Sequence, residues 1–155
     1  MPFIESNAVA WLVLGAFGGA IVSAIVPWVN AEILLLSAVA IRRDATIPLV
    51  IAVALGQMIG KSVLYWLARS ARVPHAERFT TAVERWRARF QGHPLSAVLI
   101  MGVSAVTGFP PFYIISLVAG AMRISFVAFL IVGSLGRLAH FALFALVPHV
   151  ASRWF

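Results

Sequence analysis

The chain is a succession of apolar blocks, and two of them have the wrong length for a single membrane crossing. The blocks extend over about 8–41, 46–68, 95–122 and 125–147. A simple helical crossing takes roughly 20 residues, within a range of about 17–25. The second and fourth blocks fit one crossing each. The first and third run to the order of 28–34 residues, too long for one straight crossing at about 1.5 Å per residue and too short for two. Both are interrupted, the first at Pro27-Trp28-Val29-Asn30-Ala31-Glu32 and the third at Thr107-Gly108-Phe109-Pro110-Pro111. Proline removes a helix donor and clashes with the preceding turn, so helices should stop at both places. A segment broken in this way can enter the bilayer, turn at mid-depth and leave on the same side. Irregular backbone at that depth needs protein or a cavity to satisfy it.

The expected fold is therefore an all-α integral membrane protein. Its order is a broken hairpin, then a crossing, then the same again, which makes an inverted repeat of two re-entrant helical hairpins, each followed by a transmembrane helix. The alternative for each long block is a kinked, tilted helix. A single membrane domain over 1–155 is expected, with one half at about 8–69, a basic linker at about 70–93 and a second half at about 94–150. Composition agrees with a membrane protein. The chain is 62% hydrophobic and 11% charged, where a soluble domain carries about 25% charged residues. The absence of cysteine excludes disulfides, thiolate metal sites and cysteine nucleophiles. No basic residue precedes Arg42, so the first block is expected to be mature structure rather than a signal peptide.

The net charge of +7 does not point to nucleic acid, because the arginines concentrate between apolar blocks. Arg69, Arg72, Arg78, Arg85, Arg87 and Arg89 place that linker in the cytoplasm by the positive-inside rule. Arg42 and Arg43, beside Asp44, then fall on the other side, against the trend of the rule. Phe79, Val83, Trp86 and Phe90 recur at helical spacing among the arginines. This pattern suits an amphipathic helix on an anionic leaflet, with a solvated linker as the alternative.

Three ionisable residues lie deep in apolar blocks, where a charge is expensive and usually faces a cavity or a partner. Glu32 stands at the first break, with no basic residue for nine positions on either side. Its structural alternative is an acid that only bonds loop amides. Asn30 is placed to cap the outgoing helix. Lys61 lies within "GQMIGKSVLYW", where Gln57, Lys61 and Tyr65 share one helix face by their spacing of four. Gly56 and Gly60 form a small-xxx-small pair that permits close helix approach, within one chain or between copies in a homo-oligomer. Arg137 sits in "VGSLGRLAHFA", with Gly133 and His140 on the same face. A buried salt bridge to Glu32 is its structural alternative. Together, Lys61 and Arg137 outweigh Glu32, and helix N-termini at the breaks favour an anion, so an anionic lipid headgroup is the natural guest.

Other chemistries find little support. "GQMIGKS" has three residues between its glycines, where a phosphate loop needs four and a preceding strand. The four histidines show no metal-ligand spacing. The serines lack a nucleophile elbow, and the five acids are scattered. Neither an enzyme nor a bound cofactor or metal is expected.

The stretches "PWVNAE", "ALGQMIGKSVLYWLAR" and "FPPFYIISLVAGAMRISFVAFLIVGSLGR" resemble the DedA family, also called the SNARE-associated Golgi or VTT-domain family, and most closely its small YqaA-like branch. The likeness extends from about Val22 to Arg137. It implies two opposed re-entrant hairpins and lipid translocation, of a flippase or scramblase kind, acting on phospholipid or polyprenyl phosphate. It also implies a multi-pass protein of the bacterial inner membrane, with the essential hairpin acid at Glu32. Many members have Gly-Asp where this chain has Gly60-Lys61, and an arginine-bearing second hairpin where this chain has "SAVTGFPPFYI". Lys61 and Arg137 supply positive charge from the crossing helices instead. Two other functions fit the same residues: a small proton- or ion-coupled transporter, and a non-transporting membrane interaction protein.

Overall fold

The computed structural model describes residues 2–26, 28–70, 81, 84–86, 88 and 94–154. Among these, all regular structure is helical: α1 (Pro2–Ile25), α2 (Ala31–Ile41), α3 (Thr46–Arg69), α4 (Pro94–Thr107), α5 (Phe112–Ala121) and α6 (Phe126–Trp154). A short 3-10 turn, Arg43–Ala45, joins α2 to α3. Pro27 lies outside the described residues, as do Phe79, Val83 and Phe90 of the expected surface helix. Of that helix, Glu84, Arg85 and Trp86 are described and helical.

Both sequence breaks are real helix ends. The first apolar block divides between Ile25 and Ala31, and the third between Thr107 and Phe112. The lengths of the arms differ from expectation. Three helical stretches, Asn7–Ile25, Arg43–Arg69 and Phe126–Leu146, are long and apolar enough to cross a membrane. The first of these is the leading arm of block one, because its break falls past the middle and leaves α2 only 11 residues. Helix α2 is thus about 16 Å long, half of what a crossing needs. Helices α4 and α5 are also short, at 14 and 10 residues.

Side chains satisfy the backbone at each break. Asn30 is extended and caps α2, its Oδ1 accepting from the amides of Glu32 at 2.8 Å and Ile33 at 3.2 Å. This meets two of the donors that a helix start leaves open. At the second break, Gly108 takes φ 78°, a left-handed conformation that glycine adopts without steric penalty. The Phe109 amide donates to Thr107 Oγ1 at 3.1 Å, and the buried Ser104 hydroxyl donates to the Pro110 carbonyl. The Phe109–Pro110 peptide is cis, and Pro111 precedes the first residue of α5.

The chain forms two compact units, and each takes part of α3 and part of α6. The first comprises 1–60 with 137–155. Here α2 doubles back on α1, with Leu34 against Gly19. The core gathers Ala16, Ala20, Leu35, Val39, Leu49, Val53 and Phe141. Gly56 meets the Phe17 carbonyl and Ala20, while Gly60 meets Ala24 and the Ile21 carbonyl. The Gly56/Gly60 pair therefore serves packing within one chain, α3 against α1, and the small residues let the helix backbones touch.

The second unit is 61–136. Tyr65 is fully buried and stacks on Phe129, with ring centroids 5.0 Å apart. Its hydroxyl donates to the Ile124 carbonyl and accepts from Arg69 Nη1 at 2.8 Å. Gly120 lies directly on the Tyr65 backbone, and Gly136 on Ala105. A local pattern recurs in the two units. Val22-Ser23-Ala24 closes α1 and Val103-Ser104-Ala105 approaches the end of α4. Ala24 meets Gly60, Ala105 meets Gly136, and each glycine immediately precedes a buried cation, Lys61 or Arg137.

These contacts leave no room for a side chain at Gly60 or Gly136. Gly60→Leu and Gly136→Leu should each lower stability by about 1–3 kcal/mol through overpacking, read as an earlier thermal unfolding midpoint in detergent. Gly15→Ala, where an added Cβ meets nothing within 4 Å, should leave the midpoint unchanged or raise it.

Candidate functional site

The first unit brings a group of polar side chains together among apolar helices. Glu32 lies in the first turn of α2, where the helix dipole favours a negative charge. Its half-exposed position lets the carboxylate reach α6, where Oε1 lies 2.8 Å from His140 Nε2. An ionised carboxylate only accepts, so in this pair Nε2 carries the proton. The His140 side chain is 5% exposed. Its ring is set between Phe141 and Phe144, at centroid distances of 5.2 and 4.8 Å.

Arg137 is buried almost one turn earlier on α6. One guanidinium nitrogen, Nη2, donates to Gln57 Oε1 at 3.2 Å, and the group lies over the Phe141 ring at 4.7 Å. Gln57 is in turn fixed by Ser23: its Nε2 donates to Ser23 Oγ at 2.6 Å, and the Ser23 hydroxyl donates to the Ala20 carbonyl at 2.9 Å. A polar chain thus connects α1, α3 and α6 through Ser23, Gln57 and Arg137. The Glu32–His140 pair ties α2 to the same face of α6. The Arg137 charge also acts on Glu32. A buried guanidinium is tolerated where charge-assisted hydrogen bonds, a ring face and a nearby carboxylate replace water.

The sequence-selected residues divide between the two units. Glu32, Gln57 and Arg137 assemble in the first, with Asn30 capping the helix that carries Glu32. Lys61 and Tyr65 belong to the second. There Lys61 is buried, with Nζ 5.5 Å from the Tyr113 ring centroid, a cation–π geometry. Tyr65 is engaged in stacking and in holding the turn at Ile124. The salt bridge considered between Arg137 and Glu32 is replaced by one between His140 and Glu32, because His140 is nearly one further turn along α6. Sequence reasoning passed over two members, His140 and Ser23. His140 had a signal, since it shares a face with Arg137. Ser23 had none stronger than its place in the turn before the first break. Near the α2–α3 turn, Arg42 and Asp44 form a bidentate pair at 2.9 and 2.7 Å, so the charge of Arg42 is met locally.

Among the described residues no group of three or more His, Asp or Glu side chains could hold a metal ion. No family model, curated protein or solved structure matches the chain.

Gln57 is the connector of the polar chain. Gln57→Leu removes its bonds to Ser23 and Arg137, and should cost about 1–3 kcal/mol by depriving buried polar groups of a partner. Chemical unfolding in micelles would show this as a lower midpoint.

Proposed function

We propose that the chain is a membrane lipid translocator for lipids with an anionic headgroup, such as a phospholipid or a polyprenyl phosphate. The observation that carries this reading is the Glu32, His140, Gln57 and Arg137 cluster, placed beside a broken helix inside an apolar bundle. A buried cation offers a phosphate its charge, and a carboxylate beside it allows the phosphate to leave again. Conduction of any charged group needs binding that is favourable enough to enter and weak enough to leave. The DedA likeness of the sequence supports the same substrate class.

The finer architecture belongs to this proposal. Two re-entrant hairpins related by inversion would bring two breaks within the membrane, with the arginine-rich linker in the cytoplasm of a bacterial inner membrane. The recurring Ser-Ala end of α1 and α4, and the recurring Gly-cation pairs of α3 and α6, support descent from one repeated element. Single cysteines at Trp28 and Phe109, both exposed at the breaks, test the topology against a background free of native cysteine. Membrane-impermeant thiol reagents should reach the two positions from opposite sides of a sealed vesicle. Labelling of both from one side would remove the inverted arrangement.

Function is tested by lipid movement in reconstituted liposomes, with labelled phospholipids and a polyprenyl phosphate. Wild type should move at least one of them. Glu32→Gln should slow that movement about tenfold or more, the equivalent of roughly 1.4 kcal/mol in the barrier. A wild-type protein that is folded and inserted, yet moves neither lipid, would end the translocator reading. The Glu32–His140 pair favours the proton-coupled transporter as second reading, because an intramembrane acid bonded to an imidazole is the kind of pair that proton relays use. Movement driven by an imposed pH gradient, with no lipid dependence, would select it.

A further inference from the structure

We propose that His140 is a positioning residue for Glu32: its imidazole donates to the carboxylate and holds it, ionised, against α6 at the start of α2. This deepens the reading of the same site, and rests on that reading only for what the positioned carboxylate does in transport.

Three observations carry it. His140 Nε2 is 2.8 Å from Glu32 Oε1, the distance of a charge-assisted hydrogen bond. The imidazole is buried and bracketed by Phe141 and Phe144, so its orientation is set by packing before Glu32 arrives. The partners sit on different helices, and the Glu32 amide donates to the Asn30 cap, so the bond fixes the side chain of a residue whose backbone is already fixed. Arg137 is the other charge acting on Glu32. From α1 and α3, Ser23 and Gln57 are neutral. Arg137 donates to Gln57, and the hydrogen bond to the Glu32 carboxylate comes from His140.

The test reads Glu32 without any lipid substrate. Dicyclohexylcarbodiimide labels protonated carboxyls in apolar surroundings, and mass spectrometry locates the adduct. In wild type Glu32 should label slowly. In His140→Phe and His140→Ala, where the donor is gone, it should label about tenfold faster or more, in keeping with the loss of an opposite-charge or hydrogen-bonded partner. His140→Gln can return an N–H donor to the position of Nε2 and should restore slow labelling. Asp44, paired with Arg42, is the internal reference and should not change. Equal Glu32 labelling in wild type and in a folded removal variant overturns the proposal. So does fast labelling in His140→Gln, or a parallel rise at Asp44 that marks general loosening. Should both removal variants misfold, His140→Gln decides alone: wild-type labelling supports the proposal and faster labelling overturns it. In the liposome assay, adding His140→Phe to Glu32→Gln should cause no further loss. Slow, His140-dependent labelling in a wild type that moves no lipid would retain this inference and discard the translocator.

Discussion

A guanidinium buried in an apolar helix is the constraint around which the first unit is organised. Insertion scales put an arginine at a helix centre at about 2.5–3.5 kcal/mol. On α6 itself Phe141 offers a ring face, while the adjacent Gly136, Leu138 and Ala139 offer no polar partner. Polar relief has to come from other helices. Gln57 of α3 accepts from Arg137, Ser23 of α1 holds Gln57, and Glu32 of α2 brings the opposite charge. One residue thus recruits all four helical segments of the unit. The packing must be close for these short side chains to reach one another.

Small residues supply that closeness. Ala20 and Ala24 on α1 face Gly56 and Gly60 on α3, so the helix backbones approach until Ser23 and Gln57 are in hydrogen-bond contact at 2.6 Å. In lipid, apolar side chains gain little by leaving one apolar medium for another, so helix association depends on such packing and on polar contacts. The two are coupled in this unit. A bulkier residue at Gly60 would push α3 from α1 and separate Ser23 from Gln57, which would then leave Arg137 less well supported. Stability and site geometry are therefore one property here.

Much of this could be read from the residues in order. The four apolar blocks gave the helices, and Pro, Gly and Asn at the breaks marked where helices stop and restart. Asn30 caps α2 because an amide oxygen three residues before an apolar run has few other uses. The position of the break within the first block was harder. Pro27 and Asn30 marked a break, but only the packed length of α1 made its leading arm long enough to cross. The site was legible in part. Glu32, Gln57 and Arg137 announce themselves as polar residues in apolar runs. Their partnerships do not, because which of Arg137 and His140 meets Glu32 depends on the rotation of α6 against α2. That rotation is a tertiary fact with no local sequence signal. Tyr65, picked out by its spacing from Gln57 and Lys61, packs with Phe126 and Phe129 in an aromatic stack, a partnership that spacing does not show.

The recurrence of Ser-Ala and Gly-cation pairs also shows where the two units differ. Counting from Ser23 and from Ser104, Glu32 and Tyr113 occupy the same place, nine residues on, in the first turn of α2 and of α5. Each lies near the buried cation of its own unit: Glu32 within the electrostatic reach of Arg137, Tyr113 with its ring 5.5 Å from Lys61. The pattern keeps an electron-rich group at the start of the short helix and a cation in the long one, but it changes the strength of the pairing. A carboxylate interacts with a cation as a full charge, whereas a ring face contributes about 0.5–2 kcal/mol through its quadrupole. The first unit thus sets a carboxylate near its cation, and the second a ring face. Chemistry that depends on protonating a carboxylate at the start of the short helix therefore belongs to the first unit, where Glu32 lies.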